Sequence, residues 1–102
     1  MKEYNKLVRD KIPQILSEKC KTHICHIASG NEFDTKLREK LQEEVQEFLD
    51  EPSLEELADI QEVVLALVQR NGWTPKDLEG ARKKKYVARG GFKVGYILEA
   101  AE

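Results

Sequence analysis

Two matched pairs of carboxylates are the residues best placed to do chemistry. Glu44 and Glu47, then Glu56 and Asp59, are each three residues apart, a spacing that puts two side chains on one face of a helix. Turning the chain by about 100° per residue gathers Leu37, Leu41, Val45, Phe48 and Leu49 into one apolar stripe. Glu44 falls on the border of that stripe and Glu47 on the same edge, whereas Glu39 and Glu43 point toward solvent. Further along, Glu56 and Asp59 lie on the side continued by Val63, Ala66 and Leu67, away from a solvated strip of Glu55, Glu62 and Gln69. A carboxylate drawn toward an apolar face must find a partner or keep its proton. If the two segments are antiparallel neighbours, four carboxylates converge. A hard cation with oxygen ligands, Mg²⁺ or Mn²⁺, relieves their repulsion.

Simpler roles compete for each acid. Ser53-x-x-Glu56 is a capping box, and Lys40 is spaced to pair with Glu43 or Glu44. Neither accounts for Asp59, and no single one covers both pairs. The chain shows no nucleophile triad and no glycine-rich loop ending in Gly-Lys-Ser/Thr, so a water activated by metal would do the work of a nucleophile.

The charges are unevenly spread. Between Glu32 and Glu62 twelve acids face three bases, and between Lys76 and Lys93 seven bases face two acids. A metal–phosphate ligand needs both kinds of surface, although the two could equally attract each other. Arg9, Lys11, Lys85 and Arg89 are the candidate phosphate contacts, with Gly90-Gly91 open to close backbone approach. The alternative for Arg82 to Lys85 is a solvated face near a helix C-terminus. Cys20, His23, Cys25 and His26 are all zinc-ligand types, but four ligands within seven residues rarely close one tetrahedron. Incidental thiols on an edge are the simpler reading, and Trp73 reads as a core or interface anchor.

These residues need a scaffold. The first helix is expected from Asp10, as N-cap, with Pro13 in its first turn. Thr22 to Ala28 reads as a short strand or an extended connection ended by Ser29-Gly30-Asn31. A second helix is expected over 35–50, broken by Pro52. A third, capped by Ser53, runs to Arg70 and is apolar nearly all round, as befits a central helix. Asn71-Gly72 ends it. Thr74-Pro75 with Asp77 opens a fourth that runs to Val87, and Phe92 to Ala100 follows as a short strand or clasp. The fold class is therefore all-α, a small helical bundle of about four helices with a short extended C-terminal tail.

In 102 residues there is room for one domain. At 40% hydrophobic and 35% charged residues the chain is too apolar for disorder. A net charge of −2 opposes generic nucleic-acid binding. There is no apolar run of about 18 residues for a membrane span and no apolar segment of a signal peptide near Met1. With two cysteines read as reduced thiols, this points to the cytoplasm. So small a core favours a homodimer.

Glu43-Glu44-x-x-Glu47 followed by Glu56-x-x-Asp59 resembles the EExxE…ExxD signature of the MazG-like, all-α nucleoside triphosphate pyrophosphohydrolases. Tyr4-Asn5-Lys6-Leu7-Val8-Arg9-Asp10-Lys11-Ile12-Pro13, Lys40-Leu41-x-Glu43-Glu44-Val45, Glu56-Leu57-Ala58-Asp59-Ile60-x-Glu62-Val63 and Arg89-Gly90-Gly91-Phe92 are similar to the branch related to phosphoribosyl-ATP pyrophosphohydrolase. Only eight residues separate the two acidic motifs, fewer than in many members. The resemblance implies an enzyme that cuts a nucleoside triphosphate between its α and β phosphates, with Glu44, Glu47, Glu56 and Asp59 as ligands of Mg²⁺ (or Mn²⁺). Phosphoribosyl-ATP is the alternative substrate. A non-enzymatic helical interaction module and a nucleic-acid accessory protein are the alternatives of another class.

Overall fold

The computed structural model describes residues 1–102. The chain is all-α, with four helices and no strand: α1 (Ile12–Glu18), α2 (Gly30–Asp50), α3 (Leu54–Arg70) and α4 (Pro75–Arg89). It divides into two compact units, Met1–Leu67 and Val68–Glu102, the division falling within α3.

In the first unit, α2 and α3 form an antiparallel hairpin whose turn is set by Pro52. Proline cannot continue α2, and Ser53 Oγ then accepts the Glu56 N–H at 3.1 Å to start α3. The core is small. Leu37 is 1% exposed, and Val63 is the other buried hydrophobic side chain of this unit. Burial of α3, expected to be the central helix, stops short of its first turn: Leu54 is 82% exposed and Leu57 is exposed as well. The apolar residues of α3 surround its cylinder, and all those from Val63 to Val68 are buried or half-buried.

Two helix starts differ from expectation, and one open choice is decided. The N-cap of α1 is Lys11 rather than Asp10, and no side chain caps it. Thr22 to Ala28 is an irregular connection. Ser29-Gly30-Asn31 opens α2 instead of ending a strand, so the helix is five residues longer than its apolar stripe requires.

Two helices end in the same way. At the end of α1 the Lys21 N–H reaches Leu16 O at 2.9 Å and the Cys20 N–H reaches Ser17 O at 3.0 Å. At the end of α3 the Trp73 N–H reaches Val68 O at 3.0 Å and the Gly72 N–H reaches Gln69 O at 3.1 Å. This pair of bonds needs a left-handed residue at the turn. Gly72 supplies it at φ +82°, and Cys20, unusually for a side-chain-bearing residue, at φ +54°.

In the second unit α4 begins with the expected capping box: Thr74 Oγ1 accepts the Asp77 N–H at 3.1 Å, and Asp77 Oδ2 accepts the Thr74 N–H at 2.9 Å. The helix runs two residues past Val87 and ends at Gly90, whose N–H donates to Tyr86 O at 2.8 Å. The tail forms no strand, and Phe92, Val94, Tyr96, Ile97 and Leu98 are exposed.

Candidate metal centre

The α2–α3 hairpin turns both acidic pairs toward each other. Carboxylate oxygens of Glu44, Glu56 and Asp59 lie within 4.8 Å of one another, and so do those of Glu43, Glu44 and Glu47. Glu44 belongs to both groups and is the most enclosed of them, at 6% exposure.

Basic residues neutralise part of this charge. Lys40 Nζ donates to Glu43 at 3.0 Å and to Glu44 Oε1 at 3.1 Å. Lys6 Nζ reaches Glu43 Oε1 at 2.8 Å, and Arg9 Nη2 reaches Asp59 Oδ1 at 2.6 Å. Two oxygens are left over. Glu44 Oε2 and Glu56 Oε2 are both buried and without a hydrogen-bond partner. A buried carboxylate oxygen with nothing to accept from is costly unless a proton or a cation satisfies it.

The acids respond differently to this crowding. Partial burial is the largest influence on Glu56. The charge of Glu47, a hydrogen bond to Glu47, and the charges of Asp59 and Glu44 add to it, raising its pKa to about 7. Glu43 goes the other way. Burial alone would push it up, but hydrogen bonds from Lys6 and Lys40 and their charges hold it below the usual range. The two lone oxygens, the oxygen-only donor set and a Glu56 that keeps its proton near neutrality for want of a counter-charge all fit a small divalent cation.

The other candidates are placed as follows. Glu47 is exposed at the rim and hydrogen-bonded to Glu56. Arg9 sits at the site through Asp59, and Lys11 is exposed at the head of α1. Lys85 and Arg89 are exposed on α4. Gly90 and Gly91 have local roles in ending α4: the Gly90 N–H is spent on Tyr86 O, and a Cβ on Gly91 would stand 3.2 Å from the Tyr86 ring. Glu43 corrects the helical projection, because Lys6 and Lys40 fold over it instead of water. Lys6 joins the site with no signal in its local sequence, since its partner lies 37 positions away. In the cysteine–histidine segment, His26 turns to Glu32 at 3.0 Å, His23 turns to Lys21 O at 3.1 Å, and Cys20 and Cys25 are free and exposed.

Comparison with protein families, with curated proteins and with solved structures returns no match. The motif resemblance and the geometry of the acids therefore carry the functional argument by themselves. No helix is long and apolar enough to cross a membrane.

Proposed function

We propose that the protein is a Mg²⁺- or Mn²⁺-dependent nucleotide pyrophosphohydrolase, cutting a nucleoside triphosphate to a monophosphate and pyrophosphate. The observation that carries this reading is the meeting of Glu44, Glu56 and Asp59 with two buried carboxylate oxygens left unsatisfied. These are three of the four ligands that the EExxE…ExxD resemblance implies, and the fourth, Glu47, groups with Glu43 and Glu44 beside them.

In this reading Glu44, Glu47, Glu56 and Asp59 hold the cation, which when bound polarises phosphate oxygens and acidifies a water. The chain's own contribution is to hold these acids ready. Lys40 fixes Glu44 through one oxygen and leaves the other free, and the hairpin turn fixes Glu56 through its backbone. Beside Glu47 and Glu56 an open cleft of about 450 Å³ is lined by these two acids together with Asp50, Glu51 and Glu55. Such a wall repels a polyphosphate that comes without cations and admits one that comes with them. Arg9 and Lys11 are the basic residues of the N-terminal segment proposed to contact phosphate. Exposed apolar residues such as Leu49 and Leu54 support a homodimer, and the free thiols support a cytoplasmic setting.

The test is pyrophosphate release from ordinary, deoxy and modified nucleoside triphosphates and from phosphoribosyl-ATP, with Mg²⁺, for wild type, Glu44→Gln and Asp59→Asn. The reading expects metal-dependent release that both substitutions abolish. Release that survives both, or none from any substrate by folded protein, contradicts it.

A further inference from the structure

Residues 5–9 lie across the acidic side of the α2–α3 hairpin as a strap with three polar contacts. Lys36 Nζ donates to Asn5 O at 2.7 Å, Lys6 holds Glu43 and Arg9 holds Asp59. The strap keeps its place without the Arg9 side chain. Its start is tied by Lys36 and Lys6, and at its end the Arg9 carbonyl accepts the Ile12 N–H at 3.0 Å, joining it to the head of α1. The Arg9–Asp59 pair itself is accessible, at 55% and 36% side-chain exposure, so its guanidinium can leave without opening the core. Asp59 thus has two possible counter-ions. Arg9 already neutralises it, yet Glu44 Oε2, on a side chain more than nine-tenths buried, and Glu56 Oε2 stay unsatisfied.

We propose that Arg9 is a displaceable internal counter-ion: it holds Asp59 while the site lacks a metal, and on metal binding it releases Asp59 and turns to the phosphate of the ligand. This rests on the metal reading above. The exchange is favourable because a divalent ion satisfies all the oxygens at once, while the guanidinium regains a planar, bidentate anion partner in phosphate. It also couples the two ligands, since metal binding unmasks the anion contact.

Mn²⁺ titration of the metal-free protein followed by electron paramagnetic resonance, with no nucleotide present, tests this in wild type, Arg9→Gln, Arg9→Lys and Lys19→Gln. An exposed ion pair is a weak competitor, so Arg9→Gln should bind Mn²⁺ about two- to five-fold more tightly. Pyrophosphate binding to the Mn²⁺-loaded Arg9→Gln protein should weaken about ten-fold or more, as expected for loss of a hydrogen bond to a charged group. Arg9→Lys should restore part of that binding, and Lys19→Gln should match wild type in both. Mn²⁺ affinity unchanged or weakened in Arg9→Gln, or pyrophosphate affinity unchanged, overturns the exchange. An equal gain in Lys19→Gln overturns it too, by reducing the effect to net charge. Failure of every folded variant to bind Mn²⁺ overturns the metal reading and this inference with it. Should Arg9→Gln not fold, Arg9→Lys decides: wild-type behaviour in both titrations overturns the proposal.

Discussion

The raised pKa of Glu56 makes the stability of the metal-free protein depend on pH in a direction opposite to that of most surface acids. Its folded value is about 7 against an ordinary 4.5. At pH 6 the folded chain then holds about 0.9 proton on this carboxyl and the unfolded chain about 0.03, whereas at pH 8 both hold about 0.1 or less. Folding therefore takes up nearly one proton in this window. The Glu56 contribution is fully present below pH 4.5 and is lost as pH rises through about 7. Urea unfolding of chelator-treated protein should give midpoints that fall between pH 5 and pH 7.5 and level off above. Glu56→Gln, which cannot ionise, should remove that fall and stand above wild type at pH 8. Because Glu56 interacts with the charges of Glu47, Asp59 and Glu44, the difference between the two proteins reports this coupled cluster. Identical pH profiles for wild type and Glu56→Gln would refute the argument that unrelieved negative charge and burial govern this site.

Other outcomes follow from single residues. Glu43, held below the ordinary 4.5, adds stability that is present above that value and lost as pH falls through its folded pKa, so Lys6→Ala should lessen the acid-side loss in the same urea series. Leu37→Ala empties the centre of the small core and should cost about 2–5 kcal/mol in urea unfolding. Cys20→Gly relieves a left-handed residue at the end of α1 and should stabilise by about 0.5–1 kcal/mol, the strain relieved being partly offset by glycine's greater freedom when unfolded. Thr74→Ala removes half of the α4 capping box and should cost about 1 kcal/mol, seen as faster amide exchange in the first turn of that helix.

The local part of this structure was legible in the sequence. Pro52-Ser53 and Thr74-Pro75-x-Asp77 carry their own hydrogen-bonding instructions, and the structure uses both caps. The meeting of Glu44 with Glu56 and Asp59 was legible too, because a three-residue turn leaves two helices little choice but to fold back on each other. The start of α2 was not. Ser29 has an extended backbone but no capping side-chain bond, and Gly30 and Asn31 are residues that usually mark turns. Pairs formed across the fold escaped local periodicity, as Lys6 with Glu43 does at 37 residues' separation. Arg9 reads from the sequence as a phosphate contact, yet its partner in the structure is a carboxylate 50 residues away. The all-round apolar pattern of α3 reads as burial, but Leu54 and Leu57 show that an apolar surface records what a helix could bury rather than what covers it.

The central claim is that the acids of α2 and α3 bind a divalent ion. Anomalous diffraction from crystals grown with Mn²⁺ tests it most directly. The account predicts one strong peak among the carboxylates of Glu44, Glu56 and Asp59, with Glu47 within coordinating reach. Its contradiction would be no peak there, with manganese found only at the His26–Glu32 pair or elsewhere on the surface.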